Sequence, residues 1–215
     1  MLVVTAFLIR VRACLQKENY TMNALTEMLM GQLAGGAISQ ISAKIGADTG
    51  TTSKAVGMAV PLLISALARN SSTPAGAEAL NQAIARDHDG SVLDNLSGFF
   101  SNTTAANGAG ILSHVLGERR NDVENGLAQS AGLDPGAAGQ LLETVAPLVM
   151  GALGKTQQQQ GLDANGLSAF LGEQHQQAQA SAPGVMGMLG SLLDSNKDGG
   201  VLDDVSRIAG KLFGS

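Results

Sequence analysis

Asp194, Asn196 and Asp198 stand in the first, third and fifth places of a calcium loop, with Gly199 at the sharp turn. Gly200 would offer its backbone carbonyl next, and the apolar Val201 follows in its proper place. The twelfth place, where a bidentate acid closes an EF-hand-like loop, holds Val205; Asp203 and Asp204 arrive early. A related phrase, Asp87 to Asn95, has Asp87, Asp89 and Asp94 but begins on Ala85 where the first ligand belongs. The bland alternative is an Asp-Gly turn leading into a helix whose acidic first turn suits the helix dipole. An incomplete ligand set favours the turn. If the phrase is a site, its metal is calcium and its ligands are Asp194, Asn196, Asp198, Asp203 and Asp204.

A second pattern is that of a helix-turn-helix. Leu127-Ala128, Ala131-Gly132-Leu133, Ala138 and Leu141 carry its spacing, and Ile41 to Ala55 repeat it. The second helix would present Gln140, Glu143 and Thr144, with no basic residue before Lys155. Phosphate affinity then lacks its main source, so nucleic acid is a disfavoured partner and a DNA-binding regulator only the runner-up. Catalytic patterns are weaker still. His88, His114 and His175 are isolated, without His, Glu or Cys companions at ligand spacing. There is no phosphate-cradling loop and no nucleophile elbow. Arg119-Arg120 reads as a solvated loop pair.

The elements that would position these residues come in two copies. Ile45–Arg69 and Ala131–Lys155 share Gly46/Gly132, Asp48/Asp134, Pro61/Pro147, Leu62/Leu148, Ala66/Ala152 and Leu67/Leu153 at a constant offset of 86. The gapless match spans roughly 23–69 and 109–155. Such a repeat implies a duplicated folding unit. Asp134-Pro135 is a helix start, because the carboxylate accepts from free first-turn amides and proline there loses no needed bond. Leu141, Val145, Leu148 and Ala152 then recur at helical spacing, flanked by Leu142, Val149 and Leu153. That arc is too wide for a surface helix, so each copy centres on a buried helix. The first copy has Ala55, Ala59, Leu62 and Ala66 at the matching places, which suits packing of the two helices on each other, space against bulk. Pro61 and Pro147 should kink or break them.

Ahead of each long helix the pattern predicts a short helix ending near Gly31 or Gly117, and a second ending near Gly46 or Gly132. After each comes another, with Leu80 and Ile84 in the first copy and Leu167, Phe170 and Leu171 in the second. Thr156–Gly161 is of low complexity, and the Gln- and Ala-rich His175–Ala182 reads as a flexible linker. A Gly- and Met-rich helix, Val185–Leu193, follows. Its Gly184, Gly187 and Gly190 spacing also suits an adaptable partner-binding face. No stretch alternates long enough for a sheet.

Composition limits the classes. The chain is 44% hydrophobic but 3% aromatic, with 28 Gly and no Trp, so its core must use aliphatic side chains at close helix contacts. A net charge of −5 argues against general binding to nucleic acid or anionic membranes. The single Cys14 leaves no intramolecular disulfide. The unbroken apolar runs, Met58–Ala68 and Val145–Gly154, are about half a membrane span, so no span is expected. Met1–Ile9 is followed, not preceded, by Arg10 and Arg12, and Cys14 sits in a poor lipoprotein box. Lys17-Glu18 can be encoded by a ribosome-binding sequence, so translation is expected to begin at Met22, with 1–21 outside the fold. The remainder then carries 10 basic and 17 acidic residues, a net of −7.

The segments GLDPGAAGQLLETVAPLVMGALGK, GAGILSHVLGERR and NKDGGVLDDVSRIAGKLFG resemble the bacterial family catalogued as domain of unknown function 937. The resemblance covers nearly everything from Met22 onward. It implies a bacterial all-helical protein and supplies no catalytic residues. The reading is thus an all-α tandem duplication, 22–108 and 109–215, with a Pro-containing buried helix central to each copy. The expected role is non-catalytic and cytoplasmic, through contact with a protein partner or a homo-oligomer, and requires no cofactor.

Overall fold

Two carboxylates start the helices that the rest of the fold packs around. Asp48 accepts from the Thr51 amide at 2.9 Å, opening a helix over Thr49–Asn70; Asp134 accepts from the Gly136 amide at 2.9 Å, opening another over Pro135–Gln160. Each start follows a glycine in the left-handed region, Gly46 at φ 69° and Gly132 at φ 79°, which ends the preceding helix. The computed structural model describes residues 24–34, 36–101 and 107–181, all-helical with no strand among them. The helices are α1 (Ala24–Ala34), α2 (Ala37–Ile45), α3 (Thr49–Asn70), α4 (Pro74–Asp87), α5 (Ser91–Asp94) and α6 (Leu96–Ser101). The second half holds α7 (Gly108–Leu116), a 3-10 turn (Gly117–Arg119), α8 (Arg120–Ala131), α9 (Pro135–Gln160) and α10 (Ala164–Ser181).

α9 is the axis. It lies against α1, α2, α3, α4, α5, α7 and α8. α3 lies against α7, α8 and α10 as well as its own neighbours. Each long helix therefore packs on the short helices of the other half, and one hydrophobic core runs from Leu25 to Leu171. Leu141, Val145, Leu148 and Ala152 are fully buried, as are Ala55, Ala59 and Leu62, and α3 does contact α9. Close helix approach is local and glycine-dependent. A Cβ on Gly108 of α7 would collide with the Glu143 carbonyl of α9, the acceptor that Pro147 leaves without its helical partner.

Several boundaries differ from expectation. Of the kink or break expected at each proline, the break does not occur, since Pro61 and Pro147 both lie inside continuous helices. Gly31 does not stop α1, because Leu33 extends the buried stripe of Leu25 and Leu29 by one more turn. The low-complexity stretch after Thr156 is the end of α9, with Thr156 Oγ1 bonded to the Ala152 carbonyl and the left-handed Gly161 as its cap. His175–Ser181 is helix rather than linker. Gln and Ala are good helix formers, and Leu167, Leu171, Gln174 and Ala178 form one stripe against the core.

Taken whole, α3 and α9 are long and apolar enough to cross a membrane, at mean hydropathy 1.4 and 1.2 over their most apolar windows. Only their unbroken apolar runs, Met58–Ala68 and Val145–Gly154, are about half a span. Those windows are 61% and 78% buried inside the bundle, where an apolar helix has its other use.

Candidate functional site at the acidic turn

The phrase Asp87–Asn95 closes the first half against α9. Thr73 caps α4, its hydroxyl accepting from the Gly76 amide at 3.2 Å, and Pro74 takes the first helical position. The His88 amide ends α4 on the Ile84 carbonyl at 3.0 Å. Asp89 Oδ1 then accepts from the Ser91 amide at 3.0 Å, and Gly90, at φ 95°, turns the chain into α5. This is an Asx turn of the kind that Asp and Gly favour.

What seats the turn is a pair of glycines on α9. A Cβ on Gly154 would fall well under 3.0 Å from the His88 carbonyl oxygen, and one on Gly151 would strike Val92. Gly90 in turn faces the Gly151 carbonyl and Lys155. Polar contacts fasten the edges. Lys155 Nζ meets Asp94 Oδ1 at 2.7 Å, the Gln158 amide donates to the Asp89 carbonyl at 3.0 Å, and the Gln157 amide donates to Asn81 Oδ1.

Two clefts flank the turn and share Asp87, His88 and Asn107 in their walls. One, of about 600 Å³, is lined also by Asp89, Ser91, Asn95 and Phe99. The other, of about 430 Å³, lies among α3, α4 and α7 and has Ala79, Ala83, Ile111, Val115 and Met150 as apolar wall. The Ser91 hydroxyl and amide hold the Asp89 carboxyl below its ordinary range, and the hydrogen bond from Arg86 does the same for Asp87. Burial pushes the His88 imidazole down, against the pull of Asp87 and Asp89.

The acidic side chains do not converge. Asp87 turns to Arg86, Asp89 to its own turn and Asp94 to Lys155. Among the described residues no three His, Cys, Asp or Glu side chains could share a metal ion. Asp194, Asn196, Asp198, Asp203 and Asp204 lie outside the described residues, as do Val185–Leu193 and residues 1–21.

The proposed DNA-reading face fares no better as a surface. Gln140 is exposed, but Thr144 is buried, accepts from Lys44 Nζ at 3.1 Å and donates to the Gln140 carbonyl. Glu143 is bound by Arg120 at 2.5 Å, and the same guanidinium holds Glu124 at 2.6 Å. Arg120 is therefore no solvated loop residue. It begins α8 and ties it to α9, and these bonds raise its already high pKa. Of the three side chains expected to read bases, Glu143 and Thr144 are thus engaged within the protein, and Gln140 alone is exposed.

The histidines stand on separate elements: His88 after α4, His114 on α7 and His175 on α10. His114 bonds the Gly110 carbonyl and His175 the Gln179 side chain. His88 and His114 do share the apolar cleft, a meeting that their separation in sequence does not announce. The sequence alone does not single out the seating glycines either. Their signal, Gly151-x-x-Gly154 on a buried helix, is legible only once its neighbour is known.

No curated protein and no solved structure matches the chain. Residues 27–157, more than half of it and the stretch that holds α3, the acidic turn and nearly all of α9, match one family model, and the chain therefore belongs to the family described as bacterial protein of unknown function (DUF937).

Proposed function

We propose that this protein acts without catalysis, through protein–protein contact that includes self-association. The observation that carries the reading is where the polar side chains are committed. Lys44 reaches Thr144, Asn70 the carbonyls of His114 and Val115, Asp94 Lys155, Gln158 the Asp89 carbonyl, and Ser168 the Ser71 carbonyl at 2.7 Å. Every one of these joins one half of the chain to the other. They serve an interface, and none gathers into the nucleophile–base–orienter geometry that an active site needs.

The two halves are, in this reading, tandem copies of one unit, 22–108 and 109–215. Supporting it, α3 and α9 begin 86 residues apart, each one residue after a capping aspartate and three after a left-handed glycine. Their contacts are reciprocal, α3 on α7, α8 and α10 and α9 on α1, α2 and α4. A chain whose own halves recognise each other is suited to recognising a further copy. Sedimentation equilibrium of the full chain tests this. A mass rising above 21.8 kDa with concentration is expected; the monomer mass at every concentration overturns self-association.

A further inference from the structure

We propose that the cleft between α4 and α7 holds the alkyl chain of a free medium-chain fatty acid, with the carboxylate at two arginines beside its end. The site is independent of the self-association above. The cleft is a trough of about 430 Å³, within the size range of ligand pockets. The buried Leu67 and Met150 form its floor, and Ala79, Ala83, Ile111 and Val115 its apolar walls. Backbone contacts hold those walls apart. At one end the His88 carbonyl after α4 seats on Gly154, and Gly108 of α7 seats on the Glu143 carbonyl. These two seats are three turns apart on α9, roughly 16 Å, more than the distance of about 8–10 Å at which helices pack on each other. At the other end Asn70 fastens both helices. Its carbonyl meets Gly76 of α4, and its Nδ2 donates to the Val115 carbonyl of α7 at 2.9 Å. The trough therefore cannot close without unseating one helix.

At the Asn70 end the trough runs into a second hollow of about 250 Å³, with Asn70, His114 and Val115 as common wall. Arg69, near the end of α3, and Arg119, in the 3-10 turn, both line it, and among the described residues no acidic side chain does. This local balance is the reverse of the chain's net charge of −5. A guanidinium presents five donors in a planar fork, so each arginine can take a carboxylate beside its other partners. A chain in the trough and a carboxylate at this corner suit both surfaces at once. A polar ligand would strand its hydroxyls on the apolar walls, and an alkyl cation would face the arginines. From His114 back to Asn107 the α7 side of the trough runs roughly 10 Å, the reach of an extended chain of about eight carbons.

The test is calorimetric titration of the full chain with fatty acids and with octan-1-ol. Octanoate is expected to bind saturably, with Kd falling about fourfold per added methylene from hexanoate to octanoate. The fall should stop by dodecanoate, when the trough is full. Arg69→Gln with Arg119→Gln should weaken octanoate by more than about tenfold and leave octan-1-ol unchanged, since only the acid loses charge-assisted hydrogen bonds. Ala79→Leu, an exposed position that fills the trough, should weaken acid and alcohol alike. The proposal is overturned if octanoate does not bind saturably, binds no tighter than hexanoate, or keeps its affinity for the arginine variant. Equal loss of acid and alcohol in that variant overturns the role given to the arginines. Binding to phosphatidylglycerol vesicles without binding of free octanoate would make the surface a membrane contact and overturn the proposal too.

Discussion

Replacing Gly154 by alanine tests how the acidic turn is held. In an exposed helix the change would stabilise by about 1 kcal/mol, since glycine is the poorer helix former. At Gly154 the added methyl meets backbone. It would lie well under 3.0 Å from the His88 carbonyl oxygen and 3.2 Å from Ile84 Cγ2. A carbon and a carbonyl oxygen settle at roughly 3.3 Å, so the end of α4 must retreat by more than about 1 Å. That retreat loosens the contacts of Gly90 and Val92 on Gly151 and strains the Lys155–Asp94 and Gln158–Asp89 bonds. Overpacking of this kind costs about 1–3 kcal/mol, and the propensity gain of about 1 kcal/mol offsets part of it, leaving an expected net loss of up to about 2 kcal/mol. Gly57 is the control. It is exposed on α3 with nothing within 4 Å of its added Cβ, so Gly57→Ala should stabilise by about 0.5–1 kcal/mol. Urea unfolding of the two variants beside the wild type reads both changes, with midpoints moving in opposite directions at a common m-value. A Gly154→Ala protein as stable as Gly57→Ala would refute the seating of the turn on α9.

Leu148, fully buried at the centre of α9, should cost about 2–5 kcal/mol when replaced by alanine, and a loss under about 0.5 kcal/mol would place it outside the core. His88 and His175 are both held below their ordinary pKa by burial, His175 further by Arg69. The fold therefore favours their neutral forms. Their contribution is full above the unfolded value of about 6.5 and is lost as pH falls through the lower folded values. Unfolding midpoints should drop between pH 7.5 and 5.5, and the double His88→Gln, His175→Gln variant should flatten that drop; an unchanged slope would contradict the assignment. For the phrase Asp194–Asp204, lacking an acid at Val205, micromolar calcium should leave the melting temperature unmoved. A rise of several degrees at about ten micromolar calcium, abolished by Asp198→Ala, would make it a calcium site.

What neighbouring residues decide was legible in the sequence. Asp48 and Asp134 cap the helices that follow them, and Gly46 and Gly132 end the helices before them, because a cap is made within three or four residues. The wide apolar arc of Leu141, Val145 and Leu148 announced a buried helix, since periodicity alone tells how much of a helix must leave water. The rest depended on what each face meets far along the chain. Gly31 looks like a stop until Leu33 finds the core, and His175–Ser181 looks like a linker until Leu171, Gln174 and Ala178 give it a stripe to bury. Thr144 and Arg120 look available until Lys44 and Glu143 take them. Gly151 and Gly154 are ordinary small residues until the turn at His88–Val92 arrives from more than fifty positions away. Local hydrogen bonds are written in adjacent residues. Close packing is a property of two surfaces at once, and only the tertiary structure brings the second surface to the first.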